Sequence, residues 1–335
     1  MKVEGLTRWL FGGALLVVAT AAALAQPAVP RTIRVIGLPA RPLPIAIAES
    51  QGWFAARGLT VVTEVAPNSD VLRDALATGR ADVASAAVDN GVAMAENAGV
   101  DIVIVLGGEG TQNELVAQPE IKSIADLKGR TVLVDAPNTA FALQLKKMLL
   151  VNGLSAGRDY ELKPLGSTPQ RLQGMREHKE YAASMLGPPT SIAAKRAGFV
   201  SLGSARELLG AYQGIGQFTR REWARDHKDA LVAYLAAYVE AQNWMLAPAN
   251  RSNVVELLMK ESRLPADVAG ETYDQMFLKP GGYVPDARFD IAGFETVLKL
   301  RADVEGSWGG HPPDPHKYYD PSYYEAAMAT LKSPR

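Results

Sequence analysis

The chain has 335 residues, 47% of them hydrophobic and 21% charged, enough for about two globular domains. Lys and Arg total 35 against 36 Asp and Glu, a formal net charge of -1, so there is no electrostatic footprint for nucleic acid or an anionic membrane surface. Cysteine is absent, which excludes disulfides, Cys-ligated zinc, thiol nucleophiles, iron–sulfur clusters and a lipid anchor on cysteine.

The N-terminus carries Lys2 and Arg8, then an apolar run Trp9–Ala19 and the small-residue sequence Ala23-Leu24-Ala25. A basic start, a short apolar core and an A-x-A site predict a secretory signal peptide over residues 1–25, cleaved after Ala25. The run is shorter than the roughly 20 residues a membrane-spanning helix needs. The expected mature protein is exported, soluble and periplasmic, with no lipid anchor. Residues 26–30 read as a short tether.

From there strand and helix signals alternate. Thr32–Gly37 is a predicted strand, Leu43–Phe54 a helix and Thr60–Val65 a strand. Ser69 or Asp70 is positioned to cap a helix with Val71, Leu72, Ala75 and Leu76 on one face. Val83–Ala86 is a short strand, Asn90–Ala98 a helix and Asp101–Leu106 a strand apolar on both faces. Continuous apolar strands separated by helices indicate a parallel sheet. A second unit with the same grammar begins near Glu114–Ala117. Ser123-x-x-Asp126 is a capping box, Arg130–Val134 a strand and Thr139–Asn152 a helix with Gly153 at its left-handed stop. Tyr160–Pro164 is extended, Gln170–Glu177 helical, Ala182–Leu186 a strand and Pro189–Ala197 a helix stopped by Gly198. From about Glu222 helices dominate. Asp229–Leu246 has Leu231, Tyr234, Leu235, Tyr238, Gln242 and Met245 at helical spacing, a pattern that reads as core. Asn250 is placed to cap the next helix, Pro265 suits a first turn, and Asp290–Val304 and Ser322–Leu331 are the last two helices.

Catalytic motifs are few. Gly153-Leu154-Ser155-Ala156-Gly157 matches G-x-S-x-G, but a nucleophile elbow needs a strand before the serine and a helix after it, and here the order is reversed. The four histidines, His178, His227, His311 and His316, form no H-E-x-x-H. His311 to His316 is a proline-rich stretch better read as a solvated loop than as a metal site. Gly107-Gly108-Glu109-Gly110 follows a strand but lacks either phosphate-binding fingerprint and reads as a glycine-rich crossover. Neither a cofactor nor a metal is expected.

An exported α/β chain without a catalytic set points to binding. Ligands of open α/β sheets sit at the C-terminal strand ends, beside helix N-termini. That selects the loops 38–43, 85–90, 107–113, 135–140, 187–190 and 211–214. Within them Arg41 and Pro42 lie in the first loop, and Arg41 has either an anion-pairing role or that of an exposed arginine. Ser85, Asp89 and Asn90 follow the third strand, where hydrogen bonding to a ligand competes with helix capping. Asn138 and Thr139 open a helix. Gly187, Pro188 and Pro189 form a rigid apolar wall or a helix start. Tyr212 either stacks on a planar ligand or packs in the core.

Five segments, in order, resemble the nitrate/sulfonate/taurine-type and thiamine-pyrimidine-type binding proteins of ABC transporters. They are Pro44–Phe54 with Arg57-Gly58-Leu59-Thr60-Val61; Leu76–Val83 with Gly79 and Asp82; Ile124–Val132; Asn138 to Leu154; and Tyr318–Tyr323. The resemblance implies an α/β, two-lobe type II periplasmic-binding-protein fold with mixed, mostly parallel sheets, flanking helices and two hinge crossings. Lobe 1 would hold residues 31–112 and 220–335, and lobe 2 residues 113–219. The implied function is to bind a small organic anion or heteroaromatic molecule (a sulfonate, an aromatic carboxylate or a pyrimidine) between the lobes and pass it to an inner-membrane ABC permease. A monomer without nucleic-acid partners is expected. In this family the residue at the position of Thr139 often holds anionic groups at a helix N-terminus. The alternative is an enzyme on the same scaffold, a pyrimidine-forming synthase or an exported hydrolase. The synthase branch carries a cysteine cluster that this chain lacks, and the segment Tyr181–Thr190 is less polar than the family pattern.

Overall fold

The structure is a computed structural model that describes Met1, residues 31–38 and residues 40–332. The predicted leader and tether lie outside the described residues. Two five-stranded sheets carry the chain. The first contains β1 (Arg31–Gly37), β2 (Leu59–Val65), β3 (Val83–Ala87), β4 (Ile102–Leu106) and, after a long excursion, β10 (Ile215–Arg220). The second contains β5 (Glu114–Ala117), β6 (Thr131–Val134), β7 (Glu161–Pro164), β8 (Tyr181–Leu186) and β9 (Val200–Ser204). Their strand orders, β2-β1-β3-β10-β4 and β7-β6-β8-β5-β9, share one plan. In each, one strand (β10 or β5) runs antiparallel to both neighbours while the other four point the same way. The sheets are therefore mixed and mostly parallel, as the sequence implied.

The helices follow the same alternation. Over the first sheet lie α1 (Leu43–Ser50), α2 (Ser69–Ala77) and α3 (Asp89–Ala98), and with the second go α4 (Ala140–Val151), α5 (Thr168–Glu177), α6 (Thr190–Arg196) and α7 (Ala205–Leu209). The C-terminal third contributes α8 (Arg221–Asp226), α9 (Lys228–Leu246), α10 (Arg251–Ser262), α11 (Ala266–Leu278), α12 (Ile291–Glu305) and α13 (Pro321–Lys332). The side-chain cap of α2 comes from Asn68, whose Oδ1 accepts from the Val71 amide, one residue before the predicted caps.

Strand alternation divides the core into layers. Ile33, Val35, Val103 and Val105 face α1 and the apolar stripe of α9. Their neighbours Ile36, Ile102 and Ile104 face the opposite way, toward Leu72, Val92, Phe294 and Leu298. The second sheet repeats this, with Leu115, Val132 and Val134 on one side and Val116 and Leu133 on the other. Strand β4 lies at a sheet edge yet is buried throughout. Its free edge is covered by the closing segment: the Ile104 amide donates to the Tyr318 carbonyl at 2.7 Å, and the Asp320 amide to the Ile104 carbonyl at 3.2 Å. Covering an edge in this way removes an aggregation hazard.

The chain passes between the sheets in a narrow ribbon. The Glu109 amide donates to the Ile215 carbonyl and the Gly214 amide to the Glu109 carbonyl, at 3.2 and 3.0 Å. A Cβ on Gly214 would lie 1.8 Å from the Gly110 carbonyl oxygen, so only glycine permits this approach. Gln242 of α9, fully buried, donates to the carbonyls of Gly108 and Val284 and ties a third segment to the ribbon. The glycine-rich sequence after β4 is thus a crossover, as its composition suggested.

Candidate functional site

A cleft of about 1150 Å³, partly open to solvent, lies between the two sheets. It is bounded by the loop before α1, the ends of β3 and β4, the start of α4, the segment Gly187–Pro189 and the second crossing. A smaller cavity of about 460 Å³ adjoins it, and Phe141, Ala140, Thr168 and Ile215 are walls of both. Strand C-terminal ends and helix N-termini thus meet here, as the open-sheet rule requires.

Of the residues selected from sequence, Arg41, Pro42, Ser85, Gly187, Pro188 and Tyr212 line the large cavity. Arg41 is already engaged, bonded to Glu49 and 3.5 Å from Glu261. Ser85 Oγ accepts from Gln217 Nε2 at 2.7 Å. A Cβ on Gly187 would stand 2.6 Å from Asn113 Oδ1, so a larger residue there would displace the Asn113 side chain. Tyr212 is buried, with its side chain beside Gln144.

Asn90 and Thr139 line the smaller cavity instead. Thr139 is the N-cap residue of α4, but its hydroxyl donates to Asp135 Oδ1 at 2.5 Å rather than accepting from the helix amides. The first amides of α4 are left without a side-chain cap beside the cavity.

Asp89 and Asn138 line neither cavity. Asp89 takes a bidentate ion pair from Arg301 of α12, at 2.9 and 2.7 Å, with both side chains almost fully buried. The same guanidinium donates to the Asn138 carbonyl at 3.0 Å. Arg73 of α2 donates to Asn90 Oδ1 at 2.9 Å and to Asn138 Oδ1 at 3.2 Å. Three of the selected residues therefore belong to an arginine-centred network that spans from the first sheet to the loop before α4.

Four ionisable wall residues outside the selected set stand out, one of which, Glu109, lies within the selected loop 107–113. Glu109 lines the large cavity, and its carboxylate has no hydrogen bond or ion pair among the described residues. Burial pushes its pKa up to about 7. Tyr238 and Tyr283 line the same cavity, and burial first, then the charge of Glu109, hold both phenols above the ordinary tyrosine range. Arg171 lines the smaller cavity and is almost fully buried. It donates to Ser184 Oγ at 2.9 Å and to the carbonyls of Gly166 and Met185 at 2.6 and 3.1 Å, with no carboxylate bonded to it. Burial lowers its pKa and the nearby charge of Asp135 opposes that. A signal existed only for Glu109: an acid between glycines at the end of a wholly apolar strand.

Neither Ser155 nor any histidine lines either cavity. Among the described residues no group of three or more His, Asp or Glu is placed to hold a metal ion, and no helix is long and apolar enough to cross a membrane.

Two sheets of this strand order around a cleft define the periplasmic-binding-protein fold, and solved structures agree. The alkanesulfonate-binding protein SsuA of Xanthomonas axonopodis pv. citri, bound to MOPS, superposes with a TM-score of 0.70 at 19% identity, covering 86% of this chain and 96% of its own. The periplasmic nitrate-binding protein NrtA of Synechocystis PCC 6803 gives 0.74 at 14% identity, covering 90% and 89%. A DszB variant in complex with biphenyl-2-sulfinic acid gives 0.66 at 12% identity, covering 90% and 99%. At these identities the likeness is one of fold. Among curated protein sequences none matches. The sequence profile of the NMT1-like family matches residues 38–259, and the chain belongs to that family.

Two outcomes follow from the buried charges. Arg301→Leu strands Asp89 and should lower unfolding free energy by about 3–5 kcal/mol, while adding Asp89→Leu should restore a large part of it, as read by urea denaturation. Glu109 is protonated in the folded state up to about pH 7, whereas the unfolded chain releases that proton near pH 4.3. Its contribution to stability therefore falls as pH rises through that window and is flat above it. Melting curves of wild type and Glu109→Gln should diverge from pH 5 to 7.5, with wild type losing ground, and run parallel above pH 8.

Proposed function

We propose that the chain is the periplasmic solute-binding component of an ABC importer, holding a small organic molecule with an anionic or heteroaromatic group between two lobes. The lobes would be the two sheets with their helices, joined at the crossings near residues 107–113 and 211–215. The observation that carries this reading is the cleft itself, walled by strand ends of both sheets and by the starts of α1, α4 and α5. Helix N-termini favour negative charge, each by roughly 0.3–1 kcal/mol when exposed. Arg171, bonded only to neutral acceptors, adds a cation beside the starts of α4 and α5. An anionic group in the smaller cavity would compensate it, sharing the cavity with the Asp135 carboxylate, which the hydroxyls of Ser69 and Thr139 already bond. Arg41, Pro42, Ser85, Gly187, Pro188 and Tyr212 would shape the larger cavity, with Asn90 and Thr139 at the smaller one. Asp89 and Asn138 would act by fixing the two loops against each other.

Closure in this reading is a hinge motion that a ligand stabilises by binding the closed state more tightly. Arg196 of α6 pairs with Asp267 and Glu271 of α11, and Lys146 and Lys147 of α4 pair with Glu305 and Asp303 of α12. These exposed contacts across the cleft are individually weak, as a reversible closure needs. The absence of Ser155 and of any histidine from the cavity walls favours binding over hydrolysis.

The test is a thermal-shift screen of residues 26–335 with aromatic carboxylates, sulfonates, pyrimidines and nitrate. A ligand at a hundredfold excess over its Kd adds about 2.7 kcal/mol of stability. Phe141→Ala, which removes a wall shared by both cavities, should weaken that ligand about tenfold, or 1.4 kcal/mol. A panel without any shift sinks the proposal.

A further inference from the structure

We propose that the ligand carries a cationic amine, seated on the Glu109 carboxylate between Tyr238 and Tyr283. This inference rests on the solute-binding reading and deepens it. The ionisable side chains of the large cavity wall are Arg41, Glu109, Tyr212, Tyr238 and Tyr283. Arg41 is committed to Glu49 and Glu261. The three phenols stay neutral, because burial raises each of them. Glu109 is therefore the one acid of that wall left without a counter-ion among the described residues, and a cation beside it would hold it ionised.

Its position is not accidental to the backbone. The Glu109 amide and carbonyl are both fixed to the second crossing, and it forms a bridge with Tyr283. These contacts fix the backbone from which the side chain enters the cavity wall. A carboxylate taken from water costs free energy unless paired, and among the described residues no cation pairs it. A ligand ammonium supplies one. Tyr238 and Tyr283 add ring faces, which attract cations within about 6 Å, and hydroxyls that bind the remaining N–H or ether groups. Phe141, Pro188 and Met276 leave the rest of the wall apolar, suited to an aliphatic or aromatic body.

The chemistry so defined is a primary to quaternary ammonium on a mostly apolar frame, with any acidic group directed to the Arg171 end. A purely anionic ligand would leave Glu109 without a cation and oppose its ionisation.

The experiment uses residues 26–335 and matched probe pairs in thermal-shift and calorimetric titrations: 4-(aminomethyl)benzoate against 4-methylbenzoate, taurine against ethanesulfonate, and 3-phenylpropylammonium against 3-phenylpropionate. The expected result is that an amine-bearing member binds at least tenfold tighter than its partner, and that Glu109→Gln erases this difference. The melting temperature of the ligand-free variant at pH 8 should be no lower than wild type, which separates loss of binding from loss of fold. If amine-free anions bind as well as their amine partners, or if Glu109→Gln keeps the preference, the inference is overturned while solute binding stands. If no probe of either kind binds, both readings fall.

Discussion

Arg301 brings a full positive charge into a place closed to water, and nearly everything about the relation between the two sheets depends on how that charge is answered. Asp89, at the start of α3, meets it with both carboxylate oxygens, and the Asn138 carbonyl takes a third N–H. One partner belongs to the loop after β3, the other to the loop after β6, and the arginine comes from α12. Three distant stretches of chain must converge before any of these groups is satisfied. A misplaced loop would leave a charge buried without compensation, at a cost of several kcal/mol. The network therefore selects one arrangement of the loops more strongly than it stabilises the fold.

The same constraint explains where selected residues went. Asp89, Asn90 and Asn138 have the polarity and the loop positions expected of ligand contacts, but Arg73 and Arg301 claim their hydrogen-bonding capacity. Those arginines sit within helices, at positions no different in sequence from other surface arginines. Their role became visible only with separations of 17, 65 and 212 residues closed.

The alternation of strands and helices was legible because the buried strands β3 and β4 of the parallel set are short, almost continuous apolar runs. Ile102–Leu106 is the clearest case. Strand β10 was not legible. Its sequence, Ile215-Gly-Gln-Phe-Thr-Arg220, looks like a polar loop, yet it lies inside the first sheet. Gln217 is fully buried because Ser85 and Tyr234 satisfy it, and Thr219 because it donates to the Asp82 carbonyl. Polar residues in a core strand are tolerated when their partners are supplied by other strands, and one sequence cannot display those partners. Strand β9 and helix α7 escaped for a simpler reason: they are short and only partly buried. Tyr238 shows the reverse failure. Its helical spacing correctly marked it as core, but the core of α9 reaches the cleft, so one residue serves both.

Charge is thus distributed unevenly along the joined cavities. Arg171, the Asp135 carboxylate and the start of α4 lie at the smaller cavity, while Glu109 with Tyr238 and Tyr283 lies on the wall of the larger one. Between them the walls are Phe141, Pro188 and Ile215. Such a layout discriminates by what it leaves unpaired as much as by what it holds. A group matched to neither end must strip water from a charge and give nothing back, and that penalty separates ligands of equal size and equal apolar contact. Apolar burial between the ends adds affinity without preference. Gly214 permits the close approach of the two ribbon strands beside Glu109. Selectivity then resides in a few charges whose positions the backbone fixes, and the remainder of the cleft sets only how large a molecule can reach them.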